Sequence, residues 1–276
     1  MKAPAFEYER PDSVKQAASM LARANGEGRL LAGGQTLGPM LNLRLVMPRI
    51  VIDIGHIAAL KRIDERGERL VIGGGVTHAT LEDRNDQSPL GQLLAHAAGS
   101  IAYRAIRNRG TVGGSLCHAD PAADWVTIMT LLDAEIIIAD SSRQRRVPMS
   151  EFMVGAFATV LGPTEVLEAI EIAKPSSQTR WGYYRISRKV GEFPEAVGAV
   201  LLDPERGTSR IVAGALDGAP ALLPALAQRV AAQGATAATI DNISAALTDA
   251  VPGFDAFQRQ LHAVAVRRAV LQAIGS

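Results

Sequence analysis

The sequence predicts an α+β protein built from more than one folding unit, and three observations carry that expectation. The chain has 276 residues, and at about 150 residues per domain that points to roughly two domains. Short strand-like and helix-like segments are mixed through the first 175 residues, whereas the last hundred place two strands first and three helices after them, the α+β order. Two glycine-rich segments, Gly33-Gly34 and Gly113-Gly114, interrupt the pattern where backbone would approach something closely.

The elements follow in chain order. Residues 13–25 read as an amphipathic helix, with Val14, Ala17, Ala18 and Leu21 at i, i+3, i+4, i+7, Asp12 or Ser13 as cap, and Gly26 as stop. Arg29–Ala32 is a short strand running into Gly33-Gly34, followed by a short helix near Met40–Leu43. Ile50–Ile54 is a buried strand rich in β-branched residues, ended by Gly55. Arg69–Ile72 is a strand before Gly73-Gly74-Gly75. Leu90–Ala98 and Trp125–Leu132 read as helices, Glu135–Ala139 and Val166–Ile172 as strands. Pro175-Ser176-Ser177 is a turn-rich break and marks a domain boundary. Beyond it, Ala196–Leu202 and Arg210–Leu216 are strands, and residues 220–233, 241–249 and 254–274 are helical.

Composition narrows the function classes. Hydrophobic residues make up 47% and charged residues 21%, the balance of a globular chain. A chain of this length buries on the order of 75% of its unfolded surface, so it folds without a staple. The net charge of +1 argues against nucleic-acid binding. The single cysteine, Cys117, cannot form an internal disulfide, ligate an iron–sulfur cluster or build a multi-cysteine zinc site. Together with the lack of a visible export signal, it leads us to expect a cytoplasmic protein. No run approaches the roughly 18–20 apolar residues of a membrane span.

The two glycine segments carry the chemistry. Ala32-Gly33-Gly34-Gln35-Thr36 lies between a strand and a helix; Thr111-Val112-Gly113-Gly114-Ser115 follows Arg104, Arg107 and Arg109. Successive amides in such turns form nests for phosphate oxygens, and Thr36, Thr111 and Ser115 add hydroxyls. The alternative is a pair of ordinary tight turns. Neither segment is a Rossmann G-x-G-x-x-G or a Walker A loop. In Cys117-His118-Ala119-Asp120-Pro121-Ala122-Ala123-Asp124-Trp125, Asp120 reads as a helix N-cap with Pro121 at the first helical position. Asp124, one turn later, is expected to be free for ligand hydroxyls. One histidine with two aspartates is a weak metal signal, and Ser115 with His118 lacks a nucleophile elbow. The three arginines are either a solvated face or a source of positive potential beside a bound pyrophosphate.

Taken together, these segments resemble the FAD-binding medium subunit of the molybdenum hydroxylases, of the carbon monoxide dehydrogenase type, to which the flavin domain of xanthine dehydrogenase is related. The matching text is Ala32–Thr36 with Leu43-Arg44-Leu45, then Val51–Ile54, then Gly75-Val76-Thr77-His78. The most specific run is Arg107–Ser115 flowing into His118–Asp124. Arg188-Lys189, Glu192-Phe193, Gly214 and Pro220 are weaker echoes.

The resemblance implies a PCMH-type FAD-binding fold of two small α/β subdomains, here 1–55 and 56–175, with a C-terminal α+β domain of the carbon monoxide dehydrogenase flavoprotein type, 176–276. It implies that Ala32, Gly33, Gly34, Gln35, Thr36 and Leu37, with Thr111, Val112, Gly113, Gly114 and Ser115, wrap the FAD pyrophosphate. Asp124 would bond the cofactor's sugar chain, and Ile101 and Leu161 would supply apolar contacts. Phe193 would stand near the flavin ring, with Lys189 beside it. The sequence departs from the pattern there, with Gly191-Glu192-Phe193-Pro194 where Gly-Asp-Phe/Tyr-Ala is usual. The implied activity is that of an oxidoreductase subunit without an acid or base of its own. Electrons would come from a large molybdenum cofactor subunit through a small [2Fe–2S] subunit to FAD and then to an external acceptor, in a dimer of heterotrimers. Two other readings compete: a flavin-free scaffold subunit of the same fold, and a stand-alone flavin oxidase. The intact glycine pairs oppose the first; the short chain opposes the second.

Overall fold

Each half of the chain is organised by where its β-branched runs find partners. In the structure, a computed structural model describing residues 2–275, the first run, Ile50–Asp53, is the centre of a three-stranded parallel sheet. Its neighbours are Glu7–Glu9 and Gly28–Leu31. Parallel neighbours need a crossover, and helix Val14–Arg23 provides one, capped by the Ser13 hydroxyl accepting from the Gln16 amide. Its apolar face, Val14, Ala17, Ala18 and Leu21, covers the sheet.

The second unit is a five-stranded antiparallel sheet in the order Ile63–Arg66, Arg69–Gly73, Val166–Ala173, Glu135–Ala139, Gln144–Pro148. Val166–Ala173 returns from far along the chain to pair between two early strands. Helices Pro89–Ser100 and Asp124–Leu131 pack on this sheet; Trp125, Ile128 and Met129 are fully buried. Helix Asp124–Leu131 is apolar nearly all round because a second layer covers its other side. That layer is a four-stranded antiparallel sheet, Arg180–Ile186, Ala196–Asp203, Thr208–Gly214 and Ala221–Leu222. Tyr183, Val197, Ala199, Leu201 and Val212 join the same core as Trp125. Its opposite face is covered by helices Pro224–Gln233, Ile240–Ala250 and Ala256–Gly275.

Helix and strand types fall where the sequence places them, with ends moved by a few residues. Additions are strands with weak alternation, such as Glu7–Glu9 and Gln144–Pro148, and short helices such as His78–Glu82 and Val112–His118. One capping expectation is corrected. Helix Asp124–Leu131 begins after Ala123, not at Pro121. Asp120 instead makes an Asx turn, its carboxylate accepting from the Ala122 amide at 2.9 Å. The left-handed backbone of Ala119 (φ +50°) closes the preceding helix and leaves no room for a continuous one.

Among the described residues, no helix is long and apolar enough to cross a membrane. No group of three His, Cys, Asp or Glu side chains among them is placed to hold a metal ion.

Candidate functional site

The fold brings the two glycine segments into contact. A Cβ on Gly33 would overlap the carbonyl oxygen of Arg109 and lie 2.6 Å from its carbon and 2.9 Å from the Gly110 Cα. Only glycine permits that approach. The Gly33 carbonyl accepts from Gln35 Nε2 at 3.0 Å and from Arg109 Nε at 3.4 Å, so the junction is closed by side chains of both segments. Gly34 takes φ +72°, which turns the chain into helix Leu37–Asn42.

Beyond the junction the segments differ. Among the described residues, no protein acceptor faces the amides of Gly33, Gly34, Gln35, Thr36 and Leu37. Successive open amides at a sharp turn can serve as an anion cradle. The second segment differs from the nest of the same kind that its sequence predicts. Thr111 caps helix Val112–His118, and its hydroxyl accepts from the Gly114 amide at 3.1 Å. The Val112 amide donates to the Val76 carbonyl, the Gly113 amide to the Gly74 carbonyl and the Ser115 amide to the Thr111 carbonyl, each at 3.0 Å. These four amides are spent on the protein itself. Gly113 is needed because a Cβ there would stand 2.5 Å from the Gly74 oxygen. Gly114 is the exposed member: a Cβ would stand 3.9 Å from that of Ala32, so its bare backbone borders the first segment.

Behind the second segment lies a side chain whose role sequence reasoning missed. His78 is buried; its Nδ1 accepts from the Trp125 indole N–H at 3.0 Å, and a Cβ on Gly110 would come within 2.7 Å of its Nε2. Its backbone amide donates to the Gly110 carbonyl at 2.9 Å. Accepting from Trp125 requires a neutral ring, and burial lowers the His78 pKa to about 4, with a smaller contribution from the Arg107 charge. The Thr77-His78 pair after the glycine triplet is visible in sequence; its partner Trp125, 47 positions on, is not.

The three arginines divide. Arg104 and Arg107 pair with Glu82, and Arg104 also with Asp83. Arg107 further donates to the carbonyls of Ile101 and Ala102 at 2.9 and 3.0 Å, which fixes the chain before the second segment. Arg109 has no carboxylate partner among the described residues and places its charge at the junction.

Asp124 is engaged within the protein through one of its two carboxylate oxygens. It is 5% exposed, and its Oδ1 accepts from the Tyr183 hydroxyl at 2.5 Å and from Ser100 at 3.4 Å, with Arg185 Nε at 3.1 Å. The C-terminal sheet that covers it supplies two of these partners. Burial raises its pKa, opposed by Arg185 and the Tyr183 hydrogen bond. Arg185 also reaches the Ser100 carbonyl and, at 2.8 Å, the Glu192 carbonyl. This draws in the loop carrying Lys189 and Phe193. Gly191, at φ +85°, packs where a Cβ would be 3.3 Å from the Ala102 oxygen, next to half-buried Ile101. Phe193 is 64% exposed, and Lys189 is exposed 3.9 Å from Glu192. Leu161, half-buried, follows the hairpin Met153–Gly155/Ala158–Thr159, which rests on the end of helix Val112–His118 through the Phe157 amide on the Ala119 carbonyl.

A diphosphate fits this arrangement: a row of open amides, one unpaired guanidinium and a glycine surface facing them, with apolar residues to either side. Comparison with known proteins places the chain in a FAD-binding family. Residues 4–175 match the family described as the FAD binding domain in molybdopterin dehydrogenase. The chain is 36% identical over 203 residues to the carbon monoxide dehydrogenase medium chain of Hydrogenophaga pseudoflava, covering 72% of this chain and 69% of that one. It is 35% identical over 206 residues to the caffeine dehydrogenase subunit beta of Pseudomonas sp. (strain CBB1), covering 74% and 70%. The crystal structure of quinoline 2-oxidoreductase from Pseudomonas putida 86 superposes with a TM-score of 0.90 at 29% identity, over 100% of this chain and 99% of that one. The family match spans both glycine segments and the structural match spans the whole fold, so the chain belongs to the FAD-binding domains of the molybdopterin dehydrogenases and is a flavoprotein subunit of a molybdenum hydroxylase-type dehydrogenase.

Proposed function

We propose that this chain is the electron-transferring medium subunit of its complex and that Ala32–Leu37 is the main cradle of the FAD pyrophosphate. The observation that carries this is the row of open amides from Gly33 to Leu37, pressed against Arg109–Gly110 by a contact only glycine allows. In this reading Thr111–Ser115 contributes the bare face of Gly114 and the rigidity of a capped helix. Ile101, Lys189, Phe193 and Leu161 border the rest of the cofactor. Asp124 acts through Tyr183 and Arg185, tying the C-terminal sheet to the flavin-holding units.

FAD, when bound, exchanges electrons with donor and acceptor centres, and the protein supplies position and polarity. The chain's own residues orient the cofactor, exclude water from its polar end and keep His78 neutral behind the loop. The division at residues 55 and 175 belongs to this proposal and is supported by the three sheets. So does the assembly: a large molybdenum cofactor subunit and a small [2Fe–2S] subunit as partners, a dimer of heterotrimers, and a cytoplasmic location. The medium-chain relatives support a multisubunit complex. An external acceptor receives the electrons.

Co-expression with the large and small chains tests the reading. We expect all three to co-purify, and the flavin absorbance to bleach when the large subunit's substrate is added and to recover with an acceptor. A flavin that stays oxidised while the iron–sulfur absorbance bleaches would contradict it.

A further inference from the structure

A second recess lies away from the glycine segments. It is a cleft of about 850 Å³ between helix Pro89–Ser100, the edge strand Arg180–Ile186 and helix Ala256–Gly275. Its volume is within the range of small-molecule sites. His96, Trp181 and Tyr184 give it ring surfaces, and Arg180 and Arg268 give it two guanidinium groups.

No aspartate or glutamate lines the cleft. Neither arginine has a carboxylate partner among the described residues, unlike Arg104, Arg107, Arg145 and Arg146, which are all ion-paired. Arg268 is held in place: its guanidinium lies 4.9 Å from the centroid of the Tyr184 ring and donates to the Tyr184 hydroxyl. His96 lies tilted at 5.4 Å from the Trp181 ring and meets Tyr183 edge-on at 6.2 Å. The desolvation this brings lowers its pKa, so at neutral pH it adds ring surface and not charge. The cleft is therefore aromatic and cationic, with no carboxylate among the described residues that line it.

We propose that this cleft binds a planar aromatic molecule carrying an anionic group, carboxylate or phosphate, its ring against Trp181 and Tyr184 and its anion on Arg180 and Arg268. A guanidinium fork matches both anions in bidentate geometry, and its flat face tolerates a neighbouring ring. The cleft is also in contact with the flavin-side network. Gln272 on its wall accepts from the Tyr183 amide at 3.0 Å, and the hydroxyl of the same tyrosine holds Asp124.

The test is titration of the flavin-loaded full chain with AMP and with quinoline-2-carboxylate, against the neutral counterparts adenosine and quinoline. Tryptophan emission reports binding, because Trp181 lines the cleft while Trp125 is fully buried. We expect saturable quenching by at least one anion, about tenfold or more tighter than by its neutral counterpart. AMP alone would assign the site to phosphates, and quinoline-2-carboxylate alone to carboxylates. Arg180→Ala and Arg268→Ala should each weaken binding about tenfold, with flavin content and circular dichroism unchanged. Arg268→Lys should fall between wild type and alanine. The proposal is overturned if neutral and anionic probes bind alike, if neither anion saturates, if both alanine variants bind as wild type, or if AMP acts by releasing flavin.

Discussion

The two glycine segments look alike in sequence and do opposite things with their amides. In Ala32–Leu37 five amides stay open; in Thr111–Ser115 the amides of Val112, Gly113, Gly114 and Ser115 are all bonded within the protein. The glycines also serve different ends. Gly33 lets one loop touch the other; Gly113 lets a helix touch the Gly74 backbone inside the core. A Gly-Gly pair thus marks close approach, and only the hydrogen-bond accounting tells whether the approach is to a ligand or to the chain itself.

The sharpest way to break this comparison is to add one methyl group to each segment. Gly113→Ala should destabilise the fold by about 1–3 kcal/mol, because the Cβ meets buried backbone. Gly33→Ala also meets backbone, the Arg109 carbonyl, but at a loop junction outside the core, so its melting temperature should change less. Thermal unfolding of both flavin-free variants checks this; equal losses would erase the distinction.

Of comparable size is the support behind the second segment. His78 titrates near 4 in the folded protein and near 6.5 when unfolded. Between those values the unfolded chain binds the extra proton, so stability is fully present above pH 6.5 and is lost as pH falls toward 4. The loss approaches about 3 kcal/mol. His78→Gln keeps an acceptor for the Trp125 N–H but does not titrate, so its denaturation profile should be flatter by that amount over this window. An unchanged slope would remove His78 from the account.

Smaller still is the cap. Thr111→Val deletes the acceptor for the Gly114 amide and should cost about 1 kcal/mol, whereas Thr111→Ser should cost little. Urea melts of the two variants separate a capping role from a ligand contact. At the bottom of the scale, Cys117→Ser should leave flavin loading unchanged, since Cys117 is exposed and has no role in either amide row.

Much of this architecture is legible in the sequence because it is written in local periodicity. Helix Val14–Arg23 and strands Ile50–Asp53 and Ala196–Asp203 carry their own patterns. The turn of the first glycine segment is legible too, although its contact with Arg109 and Gly110, 76 positions on, is not. The second is misread because its acceptors, Gly74 and Val76, lie over thirty residues upstream, and because two glycines mask the helix Val112–His118. The protein partners of Asp124 are hidden for the same reason: Tyr183 and Arg185, which reach its Oδ1, arrive from another sheet. Long-range pairing leaves no trace in spacing.

The most direct test of the central claim is the flavin content of the purified wild-type chain and of Gly33→Ala. It is read from the visible spectrum and from the pigment released by acid. The account predicts FAD from the wild type and a colourless, folded Gly33→Ala. A wild type that is colourless and takes up no added FAD, or a Gly33→Ala that stays fully loaded, would contradict it.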